Sequence, residues 1–175
     1  MREEREVTVW VSYMEIYNES VNDLIDSGNT NLRIREDPTD GYYVAGLKSQ
    51  KVKSIEDVAK VIALGERNRH YRQTDVHEHS SRSHTIFRIV LENRSKEGTK
   101  VAEEQDEQVH LSFATKYSIL NLVDLAGSER LAESGSHAVE ETQHINKSLF
   151  VLANVIFKLS EPGSQHIPYR DSKLT

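Results

Sequence analysis

The stretch SILNLVDLAGSER, residues 118–130, has residue types and spacing suited to phosphate chemistry. Its apolar first half predicts a strand that ends in Asp124, and Gly127 and Glu129 follow closely. Mg²⁺ on a triphosphate takes one or two rigidly held protein oxygens, and a strand terminus supplies that rigidity. A nearby glycine lets a backbone N–H approach a phosphate oxygen. The alternative interpretation is a buried strand followed by a turn, since an apolar run ending in Asp is common.

A second polar cluster, HSSRSH at residues 79–84, strengthens this interpretation. The adjacent hydroxyls of Ser80 and Ser81 can reach a metal ion and a phosphate. Arg82 can pair with a carboxylate through its guanidinium group. Taken by itself, the cluster is better explained as a polar loop.

The composition limits the classes of protein that can contain these motifs. The chain has 175 residues, of which 37% are hydrophobic and 29% charged, as in ordinary globular domains. A net charge of −6 argues against a dedicated nucleic-acid binder. There is no cysteine, and no apolar run is long enough for a signal peptide or a membrane span. We therefore expect a cytoplasmic or nuclear domain with neither nucleic acid nor membrane as its partner.

Several elements are predicted in the first half of the chain. VTVWVSYMEIY, residues 7–17, is apolar on both faces and predicts a central strand covered on both sides. NESVNDLI predicts a short helix, whereas NLRIRED and the stretch GYYVA predict short strands. Ser54 and Asp57 predict a helix N-terminus with a capping box, and Gly65 suits its C-terminal cap. The apolar stripe of that helix is Val58, Val61, Ile62 and Leu64.

The second half predicts two further strands and one long helix. SRSHTIFRIVLENR reads as a loop entering a strand, SKEGTKVAEEQDEQ as a charged hairpin loop, and ATKYSILNLVDL as a second buried strand. Residues 140–160 predict an amphipathic helix, with apolar positions Ile145, Leu149, Leu152, Val155, Ile156 and Leu159. Strands mixed with helices indicate an α/β layered fold. Few helices are available to cover two buried strands, so part of the fold is expected to be missing.

The ordered motifs resemble those of a known family. YMEIYNE, NLRIRED, SSRSH, VDLAGSER, INKSL and YRDSKLT occur in the order and spacing of the kinesin motor domain. Each is unspecific alone, but the ordered set makes a chance resemblance negligible. The resemblance covers nearly all of this chain but only about half of a motor domain. GERNRHY and SSRSHTIFR are most like the centromere-associated (centromere-protein-E-like) kinesins.

The resemblance implies a particular fold. It is an α/β fold, a partial P-loop NTPase (kinesin motor) fold in which helices flank a central mixed β-sheet. The N-terminal strands and the P-loop would be absent. Residues 1–175 would then form one partial motor domain, from the YMEIYNE strand to the YRDSKLT segment.

The resemblance also implies roles for the residues of the two polar clusters. Ser81 would coordinate Mg²⁺, and Ser80 would contact the γ-phosphate and the lytic water. Arg82 would pair with Glu129 when the two switch segments close. The implied cofactors are ATP and Mg²⁺.

Two residues of the VDLAGSER segment complete this set. Asp124 would hold a magnesium-bound water, and Gly127 would sense the γ-phosphate through its amide. The implied reaction is phosphoryl transfer to water, catalysed by positioning and charge stabilisation.

The resemblance further implies microtubule (tubulin) contacts. The residues matching the family's contact segments are Lys48, Lys51, Lys53, Asn146, Lys147, Arg170 and Lys173. For the three lysines at positions 48–53, a solvated lysine face is an equally good interpretation. A basic patch facing an acidic filament is compatible with an acidic total charge. The implied location is the cytoskeleton, at the spindle or kinetochore by likeness to the centromere kinesins. The sequence contains no heptad run, so it gives no indication of the oligomeric state.

The sequence departs from the family pattern in ways that bear on function. There is no G-x-x-x-x-G-K-[ST] loop, which supplies most of the grip on nucleotide phosphates. His77 stands where the family usually has Asn, and Ala138 and Glu140 replace a typical Arg and Lys. We therefore expect a kinesin-like motor segment that by itself has little or no affinity for ATP. We also expect the strand that ends at Asp124 to be an exposed edge of the sheet. The alternative is a degenerate, non-catalytic microtubule-binding module.

Overall fold

The computed structural model describes residues 5–39, 41–71, 82–96, 99–101, 110–112, 114–127, 136–161, 163 and 166–175. The elements are β1 (Arg5–Tyr17), β2 (Ser20–Asp23), β3 (Arg33–Asp37), β4 (Gly41–Ala45), β5 (Gln50–Val52), α1 (Ile55–Tyr71), β6 (His84–Ser95), β7 (Thr99–Val101), β8 (His110–Ser112), β9 (Thr115–Asp124) and α2 (Ser136–Ser160). Neither helix in these ranges combines the length and apolarity that a membrane crossing requires.

The main sheet is built around β1, as the sequence predicts. The strand order is β2-β1-β6-β9, and β5 also pairs with β1. These pairings are all antiparallel. The side chains at 11–16 of β1 are buried, and Val11 and Tyr13 pack with Phe87 of β6 and Val61 of α1 in the larger core cluster. The central position of β1 explains why its sequence is apolar on both faces.

The predicted helix NESVNDLI is wrong, because this segment forms a β-hairpin. Asn18 and Glu19 form a two-residue turn, with φ of 48° and 56°, between the paired residues Tyr17 and Ser20. Positive φ at both central positions gives the turn whose twist matches antiparallel strands. Asp23 then ends β2, since its Oδ1 accepts the backbone N–H groups of Ile25 (2.7 Å) and Asp26 (3.0 Å). Such local side-chain bonds compete with helix formation.

Helix α1 begins as predicted and ends later. The Asp57 N–H donates to Ser54 Oγ (3.3 Å), and Asp57 Oδ2 accepts the Lys53 N–H (3.1 Å). The predicted cap at Gly65 is wrong, since the helix continues to Tyr71. A Cβ at position 65 would lie 2.2 Å from Tyr13 Cδ1. Gly65 is therefore needed for the close approach of α1 to β1.

The predicted stripe of α1 is only partly buried. Val61 is 1% exposed, and Val58 and Leu64 pack against the larger core cluster. Ile62 is 40% exposed, so its place in the stripe is wrong.

The segment 95–108 is not entirely loop. Its described part contains β7, which pairs antiparallel with β8 in a separate two-stranded sheet. Likewise β3 and β4 form their own hairpin, which confirms the two short strands predicted there.

Strand β9 is present where predicted, but it is not buried. It pairs with β6 and ends the strand order of the described sheet. Apolar side chains on both faces are more than half exposed: Tyr117, Ile119, Leu120, Leu122 and Val123. The expectation of an exposed edge is thus met within the described strands. A long apolar edge of this kind favours association with other chains.

Helix α2 begins at Ser136, earlier than the predicted start at 140. Ile145 and Val155 of its predicted apolar stripe are buried. Ile156 and Leu159 are 59% and 57% exposed, although they belong to the same predicted stripe.

Candidate functional site

The two polar clusters of the sequence lead to the same edge of the main sheet. Thr85 near the start of β6 is the register partner of Asp124 at the end of β9. Because the strands are antiparallel, the residues before β6 and the residues after β9 emerge at the same edge. Arg82 belongs to the first segment, and Asp124 and Gly127 to the second.

Not every predicted member of the site can be placed. Asp124 is exposed at the strand end, and Gly127 and Arg82 are half-buried. Ser80, Ser81 and Glu129 lie outside the described residues. Their roles therefore stay predictions.

The donor chemistry at this edge fits the implied metal. Asp124 offers an exposed carboxylate on a rigid strand terminus. Oxygen ligands of this kind suit Mg²⁺, which keeps several of its waters. Asp124 could thus hold a magnesium-bound water with Gly127 close by in the chain.

His84 connects the two segments directly. Its Nδ1 accepts the backbone N–H of Ala126 at 3.0 Å. Its Nε2 lies 2.8 Å from Ser148 Oγ in α2, and that hydroxyl donates to the Ile145 carbonyl at 2.8 Å. Burial lowers the pKa of His84, whereas the charges of Glu19 and Asp124 act in the opposite direction. The ring is therefore neutral at neutral pH.

Arg69 of α1 fixes the residue that follows Arg82. Its Nε and Nη2 donate to Ser83 Oγ at 3.2 and 3.0 Å, and Nη2 also donates to the Ser83 carbonyl at 3.2 Å. Arg69 Nε lies 3.9 Å from Glu15 Oε1, and both side chains are nearly fully buried. This buried pair ties α1, β1 and the start of β6 together.

Tyr13 makes a second contact between β1 and α1. Its hydroxyl donates to Glu66 of α1, and its ring meets Phe87 edge-on with centroids 5.4 Å apart. Burial, together with the Glu66 carboxylate, raises the pKa of Tyr13 to about 12. Tyr13 therefore joins β1 to α1 through a hydrogen bond and β1 to β6 through an aromatic contact.

Sequence reasoning gave no role to His84, Ser148 or Arg69. Signals for all of them were present. His84 and Ser148 are members of the SSRSH and INKSL motifs. Arg69 follows Val61 and Gly65 at intervals of four on the buried face of α1, where a charge requires a partner.

The predicted microtubule-contacting lysines lie at the sheet margin opposite β9. Lys51 is in β5, and its Nζ lies 5.9 Å from the Trp10 ring centroid and 3.4 Å from Thr8 Oγ1. Lys48 Nζ lies 4.0 Å from Asp26 Oδ2, and Lys53 directly precedes the cap of α1. All three lysines are exposed.

The C-terminal candidates lie against the β1–β2 turn and the β3–β4 hairpin. Arg170 Nη2 lies 3.2 Å from Glu36 Oε2. Glu19 accepts the Ser172 hydroxyl (2.7 Å) and the Lys173 N–H (2.9 Å), so the YMEIYNE motif holds the YRDSKLT motif in place. Arg170 and Lys173 border a groove of about 770 Å³.

The remaining candidates, Asn146 and Lys147, are exposed on α2 beside the buried Ile145. Their contact with tubulin, like that of the other candidates, stays a prediction. Exposure makes each of them available to a partner.

An α/β chain whose two polar motifs converge at one sheet edge corresponds to a known family. The model of the kinesin motor domain matches residues 1–175. The chain belongs to the kinesin motor-domain family.

Curated relatives and solved structures agree with this assignment. The chain is 51% identical to Kinesin-like protein KIN-7L of Oryza sativa subsp. japonica, over 98% of this chain and 26% of that protein. It is 46% identical to Centromere-associated protein E of Homo sapiens, over 98% of this chain and 6% of that protein. The expected likeness to the centromere-associated kinesins is thereby confirmed.

The structural comparison confirms the fold class. A solved fast kinesin superposes with a TM-score of 0.78 at 40% identity, over 97% of this chain and 45% of that one. A solved structure named kinesin 6 gives a TM-score of 0.75 at 33% identity, over 97% and 45% of the respective chains. The chain thus spans less than half of either solved structure.

Proposed function

We propose that this chain is part of a kinesin-type microtubule motor, in which ATP binding and hydrolysis are coupled to movement along microtubules. The observation that carries the proposal is the junction of the two polar motifs, where the Ala126 N–H meets His84 Nδ1 at 3.0 Å. It makes the segment after β9 a direct neighbour of the segment that contains Arg82. Family membership supplies the reaction class.

The chain's residues would act by positioning. When bound, Mg²⁺ with ATP supplies the phosphoryl group and neutralises charge on its oxygens. Asp124 would orient a metal-bound water from a fixed strand end, and the Gly127 N–H would donate to the γ-phosphate. Arg82, paired with Glu129, would close the site around the phosphate. A donor that is fixed before the reaction, as the Gly127 N–H would be, stabilises developing charge at little reorganisation cost.

The partner that fits the exposed cations is the acidic surface of the microtubule. Lys48, Lys51, Lys53, Arg170 and Lys173 are all exposed. Charge complementarity of this kind mainly increases the association rate. We place the protein on the cytoskeleton, and the likeness to Centromere-associated protein E favours the spindle or kinetochore.

The decisive experiment measures microtubule-stimulated phosphate release. The chain is assayed alone and after being joined to the amino-terminal half of a related kinesin motor domain, which carries the phosphate-binding loop. We expect no ATP turnover by the chain alone and stimulated turnover by the joined protein. The change Asp124→Asn should abolish that turnover, whereas Glu56→Gln, an exposed change in the first turn of α1, should leave it intact.

Two outcomes would contradict this proposal. Turnover that is insensitive to Asp124→Asn would remove that carboxylate from the mechanism. Co-pelleting with microtubules without any turnover by the joined protein would instead favour the non-catalytic module.

A further inference from the structure

Three segments far apart in the sequence meet at one histidine. His84 begins β6, Ala126 follows β9, and Ser148 lies in α2. The three residues are 3%, 4% and 3% exposed, respectively. Their hydrogen bonds are therefore shielded from water, which makes each of them costly to break.

The direction of every bond in this junction is determined by chemistry. A backbone N–H can only donate, so His84 Nδ1 must present its lone pair to Ala126. The neutral ring then carries its proton on Nε2, which donates to Ser148 Oγ. The proton of that hydroxyl is directed to the Ile145 carbonyl. The result is one directed chain from the backbone beside Gly127 to the backbone of α2.

His84 itself is anchored on the sheet side. It is the register partner of Ile16 in β1. Its predecessor Ser83 is held by Arg69 through both its hydroxyl and its carbonyl. Movement of the Ala126 amide must therefore either break its bond to the ring or turn the ring away from Ser148.

We propose that His84 is a positioning residue that couples the backbone at Ala126–Gly127 to helix α2 through Ser148. Its significance rests on the proposed function, in which Gly127 senses the phosphate, and on the tubulin contacts predicted for Asn146 and Lys147 of α2. The physical coupling does not need nucleotide or microtubules. Among the described residues, the charges of Glu19 and Asp124 act on the ring, and neither residue is a member of the bond chain.

The test uses two serine changes in α2 of the full chain. Ser148→Ala removes the hydroxyl that meets His84. Ser160→Ala is the matched control, because Ser160 Oγ donates to the Phe157 carbonyl (2.7 Å) in the same local geometry at an exposed position. The measured quantities are the amide proton shift and the hydrogen-exchange protection of Ala126 by NMR.

For Ser148→Ala we expect the Ala126 amide resonance to move and its protection to fall roughly twofold to tenfold, the range of one hydrogen bond. Ser160→Ala should leave both quantities unchanged. If Ser148 acted only within α2, its removal would not change the amide shift or the exchange protection of Ala126. An unaffected Ala126 in Ser148→Ala, or an equal effect in Ser160→Ala, would overturn the inference.

A histidine variant tests the route. In His84→Asn the side-chain oxygen can take the place of Nδ1, but the side chain is too short to replace Nε2. Ala126 should keep most of its protection, and adding Ser148→Ala should no longer move its resonance. A persisting effect of Ser148→Ala in that background would show that the coupling bypasses His84. If His84→Asn does not fold, the serine pair decides alone.

Both results are independent of motor activity. A protein that hydrolyses no ATP can still show the Ser148-to-Ala126 effect, which would leave the coupling intact and reject only the motor function. If the joined protein is an active motor but Ser148→Ala does not affect Ala126, the coupling is rejected and the motor function stands.

Discussion

Replacing Gly65 by alanine tests how closely α1 approaches the sheet. In an isolated helix interior, alanine is favoured over glycine by about 1 kcal/mol. Here the added Cβ would stand 2.2 Å from Tyr13 Cδ1 and 2.5 Å from Tyr13 Cε1. The Tyr13 ring has little room to move away, because it packs edge-on against Phe87 and its hydroxyl is hydrogen-bonded to Glu66.

The expected magnitude follows from the two opposing terms. Overpacking a core costs about 1–3 kcal/mol. At the upper end of that range, Gly65→Ala lowers the free energy of unfolding by about 2 kcal/mol, after the gain in helix propensity of about 1 kcal/mol is subtracted. For a chain of this size, that corresponds to a fall in melting temperature of roughly 4–8 °C.

Urea and thermal unfolding measure the effect, and the same helix supplies a control. Ala63 is exposed two residues before Gly65, so Ala63→Gly should cost only the helix propensity of about 1 kcal/mol. If both were ordinary helix positions, Gly65→Ala would raise the free energy of unfolding and Ala63→Gly would lower it. We expect both changes to lower it. In a Tyr13→Val background, Gly65→Ala should become neutral or stabilising. Stabilisation by Gly65→Ala in the unmodified chain would refute the close contact.

Further changes probe the buried charges, the titrating groups and the filament contact. Arg69→Met should lower the free energy of unfolding by about 3 kcal/mol in urea, because it removes the buried cation beside Glu15. Tyr13 should ionise only as the pH approaches about 12 in an alkaline absorbance titration: its pKa is raised, so the stability due to its neutral form is present below pH 10 and is lost as pH rises towards about 12. The pKa of His84 is lowered, so its contribution to the free energy of unfolding is present above pH 6.5 and decreases as pH falls below it, which acid-side urea titrations would detect by comparison with His84→Asn. Arg170→Glu should weaken microtubule co-pelleting, and added salt should shrink the difference from the unmodified chain; equal pelleting at low salt would count against this contact.

Local sequence patterns predicted the elements that depend on local properties. The apolar run of β1, the cap at Ser54 and the spacing of α2 all appear in the structure, with shifted ends. Ordered motifs identified the family, because each motif is a short contiguous stretch that can be read without knowing its neighbours in space.

Other features could not be predicted from local patterns. The segment NESVNDLI contains helix-compatible residues, yet the turn at Asn18 and Glu19 and the pairing with β1 make it a strand. The sequence of β9 contains a run of apolar residues, as that of β1 does, but β9 has one neighbour among the described strands and so remains exposed. Burial depends on what lies beside a strand, and the strand's own residues do not contain that information.

The sequence by itself determined the family, the order of the strands and helices along the chain, and the identity of the polar motifs. Only the tertiary structure brought His84 to Ala126 and Ser148, which lie 42 and 64 residues away along the chain. Hydrogen bonds across such separations depend on sheet register and helix docking, and these are set by the packing of the whole core. For that reason, the motifs could be recognised one by one, whereas the bonds that join them could not.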